Sequence, residues 1–247
     1  MHQEIYECRS DQVSISTEYW TKANSQTLLL PNLYQVKLWF YRWSTDCTVS
    51  NNKGFFSLSD SCELTLDPNT ANRNLILFDN NTKVAFVDDE QPYPDHPERF
   101  DDWKQILCRN GLTGRCYWEV EWEGWVYIAV SYRGIRRTGA SKGCWFGWNN
   151  QSWSLRCSED GYFAWHNNTR TDLSTSSSSF VSSSASSTSS TSNRVAVYVD
   201  CPAGTLSFYR VSSNSLIHLH TFSTTFTETL YPGFRLFRSS SVSLCSL

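Results

Sequence analysis

The chain has 247 residues, 15% of them aromatic and 18% charged, with 11 Trp and a formal net charge of −3. So many aromatics beside so few charges describe a chain that buries a dense core, and the length allows one large β-domain or two small ones. The slightly acidic balance leaves no electrostatic reason to expect nucleic acid or an anionic membrane as partner, since both attract clustered Lys and Arg.

Residues 1–57 are read as an N-terminal extension. Its apolar stretch from Leu28 to Tyr41 is interrupted by Pro31, Asn32, Gln35 and Lys37, which rules out a transmembrane helix. Extra strands and an amphipathic surface segment both remain open for it. Met1 to Asp11 is polar and lacks the basic start and apolar run of a signal peptide. The nine Cys are odd in number, and none forms a C-x-x-C pair. They are expected to be free thiols in a cytoplasmic protein. The sequons at Asn80, Asn150 and Asn167 then carry no glycan.

From Ser61 the strand pattern sharpens. Cys62 to Leu66 alternates and ends at Pro68, and two apolar runs, Asn74–Phe78 and Lys83–Val87, flank Asp79-Asn80-Asn81 as a hairpin. Asp88 to Arg99 carries three prolines and reads as a surface loop. Gln105–Cys108 is a short strand. In Tyr117–Glu123, Trp118, Val120 and Trp122 share one face and the glutamates the other, and after Gly124 the run Trp125–Tyr132 is expected to return as its antiparallel partner. Arg133–Asn150 mixes arginines with Trp145, Phe146 and Trp148 in a long loop, and two short strands follow, Ser152–Leu155 and Tyr162–Asn167.

Ser174 to Ser192 is almost entirely Ser and Thr, a composition too polar to offset its ordering entropy, and is expected to be a disordered insertion. Beyond it lies the clearest hairpin in the chain. Val195, Val197 and Val199 alternate, then Leu206 and Phe208 alternate, and between them Asp200 opens a turn in which Pro202 fixes φ and Gly204 takes a positive one. Leu216–Phe222, Tyr231–Phe237 and Ser241–Leu244 supply the last strands. About a dozen short strands and no helical periodicity mean an all-β, two-sheet antiparallel β-sandwich.

Several of these stretches resemble one known module in order along the chain: LTLDPNTANRNL with its hairpin, then TGRCYWEV, then VYVDCPAGTLSFY and LYPGF. They resemble the PRY-SPRY module, similar to those ending fish tripartite-motif (TRIM) proteins, NOD-like receptors and stonustoxin-like proteins. Cys116 stands where the family often has His. The resemblance places PRY at about 61–108 and SPRY at about 109–247, within a domain of 58–247, and it implies a concanavalin-like jelly roll. It also implies a recognition module that binds a protein partner through variable loops, as the targeting part of a ubiquitin ligase or an innate immune receptor. A membrane-active, toxin-like fragment is the alternative.

Catalytic chemistry finds little support in the residues. Gly139-Ala140-Ser141-Lys142-Gly143 fits G-x-S-x-G, but a nucleophile elbow needs a strand before it and a helix after it, and Cys144-Trp145-Phe146 does not read as a helix. His218 and His220 share a strand face without an obvious third ligand, so a polar, solvent-facing side is the better account. No enzyme activity, cofactor or metal is expected. The expected partner-binding set lies on the loops Asp88–Arg99, Arg133–Trp148 and Arg156–Asp160, with Thr224–Glu228 nearby. It comprises Tyr93, Arg99, Arg133, Arg136, Arg137, Trp145, Trp148, Arg156 and Phe226.

Overall fold

A computed structural model of the chain describes residues 60–173, 193–212 and 215–247. The N-terminal extension and the serine tract lie outside the described residues. The described chain forms two antiparallel sheets and no α-helix. In the first, seven-stranded sheet the order is β1 (Leu75–Phe78), β2 (Lys83–Phe86), β13 (Ser241–Leu244), β4 (Arg115–Glu123), β9 (Arg194–Asp200), β10 (Thr205–Ser212) and β11 (Ser215–Ser223). In the second, six-stranded sheet it is β3 (Gln105–Leu107), β12 (Leu230–Leu236), β5 (Val126–Tyr132), β6 (Ser152–Ser158), β7 (Gly161–His166) and β8 (Thr169–Leu173).

The core lies between the sheets because alternation gives each strand one apolar side. Trp118, Val120 and Trp122 of β4 and Val195, Val197 and Val199 of β9 face Val126, Ile128 and Val130 of β5, Leu155 of β6 and Phe234 of β12. The central hairpin forms as its residues dictate, with Val199 opposite Leu206 and Val197 opposite Phe208. Gly204 has φ +69, and a Cβ there would fall 1.9 Å from the Thr224 carbonyl oxygen. The β1–β2 hairpin also forms, with Asp79, Asn80 and Asn81 all at positive φ.

Four expectations are corrected. β5 is not the hairpin partner of β4, because Gly124 and Trp125 carry the chain across to the other sheet. β4 pairs with β9 and β13 instead. As a hairpin, β4 and β5 would have put their apolar sides in one sheet face; across the sandwich, the same side chains pack against each other. Cys62–Leu66 is not a strand. Leu64 and Leu66 are buried, but Leu66 N–H donates to the Asn81 carbonyl and Asp67 N–H to that of Leu107, so the segment is bonded residue by residue to different elements. Arg156 is not in a loop, since β6 runs on to Ser158 and leaves only Glu159 and Asp160 to turn the chain.

The fourth correction concerns the thiols. Cys62 and Cys116 form a disulfide with Cα atoms 5.6 Å apart, which ties the entering segment to the first residues of β4. The backbone brings them together: Cys62 N–H donates to the Tyr117 carbonyl at 2.9 Å. Cys108, Cys144, Cys157, Cys201 and Cys245 are free thiols, and burial raises Cys157 well above the usual thiol range.

Candidate functional site

β5 is buried at every position, Val126 to Tyr132, so its outer side needs a cover as well as its inner one. The loop between β5 and β6 supplies it. Ile135 and Phe146 pack with Phe100, Leu107 and Ala129 into a second, smaller core on the outer face of the second sheet. Gln105 of β3 holds the loop down, donating to the Cys144 carbonyl at 2.8 Å and accepting from Phe146 N–H at 3.1 Å. Its buried side-chain amide thus does for the loop what a neighbouring strand's peptide group would do. Gly147, at φ +83, lets the chain lie flat there: a Cβ would stand 2.3 Å from Ser154 Oγ and 2.7 Å from Trp165 Cβ.

The loop brings Trp145 and Trp148 into a ladder of four indoles. Trp103 stacks on Trp145 at 4.8 Å, Trp145 on Trp148 at 4.3 Å, and Trp148 on Trp165 of β7 at 4.7 Å, all within 24° of parallel. Lys142 Nζ sits 4.7 Å over the Trp148 ring. At the inner end lies Arg235 of β12, 5% exposed, its guanidinium carbon 3.8 Å from the Trp145 centroid, 4.5 Å from Trp103, 4.7 Å from Phe237 and 5.5 Å from Tyr127. Burial pulls the Arg235 pKa down to about 9, still charged at neutral pH.

Sheet register continues this row outward. Arg235 lies opposite Tyr127, Tyr127 opposite Arg156, Arg156 opposite Phe163, and Phe163 opposite Asp172. Arg156 rests 4.6 Å from the Trp125 ring and 5.1 Å from Phe163, and pairs with Asp160 at 3.6 Å. Arg170 lies 4.2 Å from Phe163 and pairs with Asp172. Trp125 is 46% exposed, so the rim of this cation-and-ring surface is open to a partner.

The expected site residues fall into three places. Trp145, Trp148 and Arg156 belong to this face. Tyr93, Arg99, Arg133 and Arg137 form a different cluster that holds the loops themselves. Arg99 donates to the carbonyls of Pro68, Ala71 and Pro94 and lies over Tyr93, whose hydroxyl donates to the Leu75 carbonyl at 2.9 Å. Arg137 donates to the carbonyls of Glu98, Arg133 and Ile135, and burial lowers its pKa to about 10. Arg133 pairs with Glu98 and with Asp67, and its hydrogen bond holds the Glu98 carboxyl below the usual carboxylate range. With these donors taken up inside the fold, Arg136 is the exposed arginine of the three. Phe226 lies apart, edge-on to Trp153 at 5.2 Å.

The residues set aside in the sequence are placed as follows. Ser141 Oγ approaches Cys144 Sγ at 3.6 Å, and the residues after it make a single 3-10 turn, Lys142–Cys144. The irregularity in β10–β11 pairing leaves His218 exposed and His220 half-buried, edge-on to Phe222 at 4.4 Å. Among the described residues no group of three His, Cys, Asp or Glu is arranged to hold a metal. No described helix is long and apolar enough to cross a membrane. Nothing in the sequence marks Arg170, Trp125 or Phe163 as site residues, whereas Arg235 stands out as an arginine within the apolar run Tyr231–Phe237.

Comparison with known proteins matches residues 64–112 to PRY, the SPRY-associated domain, and residues 115–245 to the SPRY domain. The chain belongs to the SPRY family. This SPRY chain is 41% identical over 174 residues to stonustoxin subunit beta of Synanceia horrida, covering 70% of this chain and 23% of the toxin subunit. It is 35% identical over 182 residues to tripartite motif-containing protein 16 of Mus musculus, covering 72% and 30%. Among solved structures, the TRIM65 PSpry domain superposes with a TM-score of 0.64 at 27% identity, over 76% of this chain and 92% of that one. The SPRY chain therefore spans about a quarter of the toxin subunits that it matches.

Proposed function

We propose that the chain is a non-catalytic recognition module that binds a protein partner through the outer face of the second sheet and the loop 133–151 that covers it. The observation that carries this reading is the open rim of the cation-and-ring surface, where Trp125 and Phe163 flank Arg156 and Arg170 lies over Phe163, with Lys142 over Trp148 in the adjoining ladder. Arg and Trp are the residue types that most often carry interface energy once desolvated. The likeness to tripartite motif-containing proteins supports a cytoplasmic place and the role of recognition part in a ubiquitin ligase or innate immune receptor. The Cys62–Cys116 disulfide weighs against a reducing compartment, and thiol labelling of the protein in cells decides between them.

The test is capture of partners by the folded chain, identified by mass spectrometry and then measured with Trp125→Ala and Arg156→Ala. A hot spot loses about 2 kcal/mol or more, roughly thirtyfold in affinity. Unchanged binding in both variants, with both folded, rejects this face. The identity to stonustoxin subunits favours a second reading, a membrane-active protein of which this is one part. Dye release from liposomes by the chain would support it.

A further inference from the structure

Three arginines of the outer face lie over aromatic rings, and two of them also hold a carboxylate. Arg156 has Asp160 and Arg170 has Asp172. Arg235, the most buried of the three, has none: among the described residues no group accepts a hydrogen bond from its guanidinium, and Nη1 is buried without an acceptor. The indole N–H groups of Trp103 and Trp145, the two ladder rings over Arg235, are likewise buried donors without acceptors. Three donors and no acceptor share one place.

Buried polar groups in native folds are nearly always hydrogen-bonded, and a cluster of exceptions of one sign calls for an absent partner of the other. The ring faces offset part of the cost of burying the cation. They do not satisfy the directed N–H donors at the edge of its plane. A group with two oxygens in one plane matches that edge. The cover over Arg235 is also of the kind that can yield. Trp103 precedes β3 and Trp145 lies in the β5–β6 loop, so both sit outside the strands and can shift without breaking a ladder of the sheet.

We propose that Arg235 and the indole N–H groups around it form a carboxylate-binding site, the anchor for an acidic segment of the protein partner. This rests on the recognition reading above, and it names the chemistry of the partner at that face. The carboxylate replaces one ring contact of Arg235 and takes the donors that the fold leaves without acceptors.

The test uses the full chain and its tryptophan fluorescence. It is titrated with an N-acetylated, C-amidated hexaglutamate peptide, with the hexaglutamine counterpart and with inorganic phosphate, all at one ionic strength. The expected result is a saturable change with hexaglutamate alone, weakened at least tenfold by Arg235→Met and less by Arg235→Lys. The melting curve of each variant establishes that it is folded; if Arg235→Met does not fold, the Arg235→Lys titration decides, and it should weaken the response. Equal response to hexaglutamine, a matching response to phosphate, or an undiminished response in the Arg235 variants overturns the carboxylate site. A captured partner that binds Arg235→Met as tightly as the parent also overturns it, and leaves the recognition reading standing. Failure of the parent chain to capture any partner counts against that broader reading instead.

Discussion

Trp118 and Trp148 are both tryptophans, yet they do different work. Trp118 is 2% exposed between the sheets, and no rearrangement of a loop can fill its place. Trp118→Ala should cost about 3–5 kcal/mol through lost burial and an unfilled cavity. Trp148 is half-buried and stacked on both sides in the ladder. Trp148→Ala removes two ring contacts of about 0.5–1.5 kcal/mol each besides part of its burial, so it should cost less than Trp118→Ala. Near-ultraviolet circular dichroism should lose the stacked-indole signal while the sheet signal in the far ultraviolet stays. Equal destabilisation by urea denaturation would show the ladder to be as much core as β4. The two roles were only half legible in the sequence: alternation assigned Trp118 to the core, but the ladder draws its rings from a turn, a loop and a strand, and no spacing joins Trp103 to Trp165.

At the scale of elements, the β5–β6 loop is the piece on which the candidate site depends. Its sequence reads as a long loop carrying arginines and indoles, which is what it is. Its attachment was hidden, because Gln105 lies in another strand and a glutamine in a short apolar run has no periodicity to declare its role. Gly147 gives the sharpest test of that attachment. Gly147→Ala meets both a positive φ and the side chain of Ser154, so it should lift the loop, at about 2 kcal/mol or more. Hydrogen exchange should then quicken at Phe146 N–H and Gly147 N–H, which donate to Gln105 and Ser152. Unchanged protection there would mean that the loop is held by its apolar contacts alone. The β4–β5 connection misled for a related reason: two residues with a glycine between apolar runs usually make a hairpin, and only the packing of both strands' apolar sides against each other sends β5 to the opposite sheet.

For the whole molecule, the class of fold was legible because strands such as β4, β9 and β10 alternate apolar and polar residues with a period of two. The disulfide was not, since Cys62 and Cys116 are separated by 54 residues and lack any spacing that marks a pair. Closing a loop of that length should stabilise the fold by about 4 kcal/mol in the chain-entropy account. Reduction, or Cys62→Ser, should lower the melting temperature by roughly 10 °C for a domain of this size. The variant itself should no longer respond to reductant. A melting temperature indifferent to both would show that the segment around Cys62 is held by its backbone bonds to β4 without help from sulfur.

The crossing of the chain between β4 and β5 also sets a timetable for the newborn protein. Arg115 and Asp200, bonded across the centre of the first sheet, are 85 residues apart, so β4 has neither β9 nor β13 beside it until much later in synthesis. At about 5–20 residues per second the ribosome needs roughly 4–17 s to bridge that distance. For those seconds Trp118 and Trp122 stand on an incomplete sheet with an unpaired edge, a surface that chaperones bind and that neighbouring nascent chains can mistake for their own.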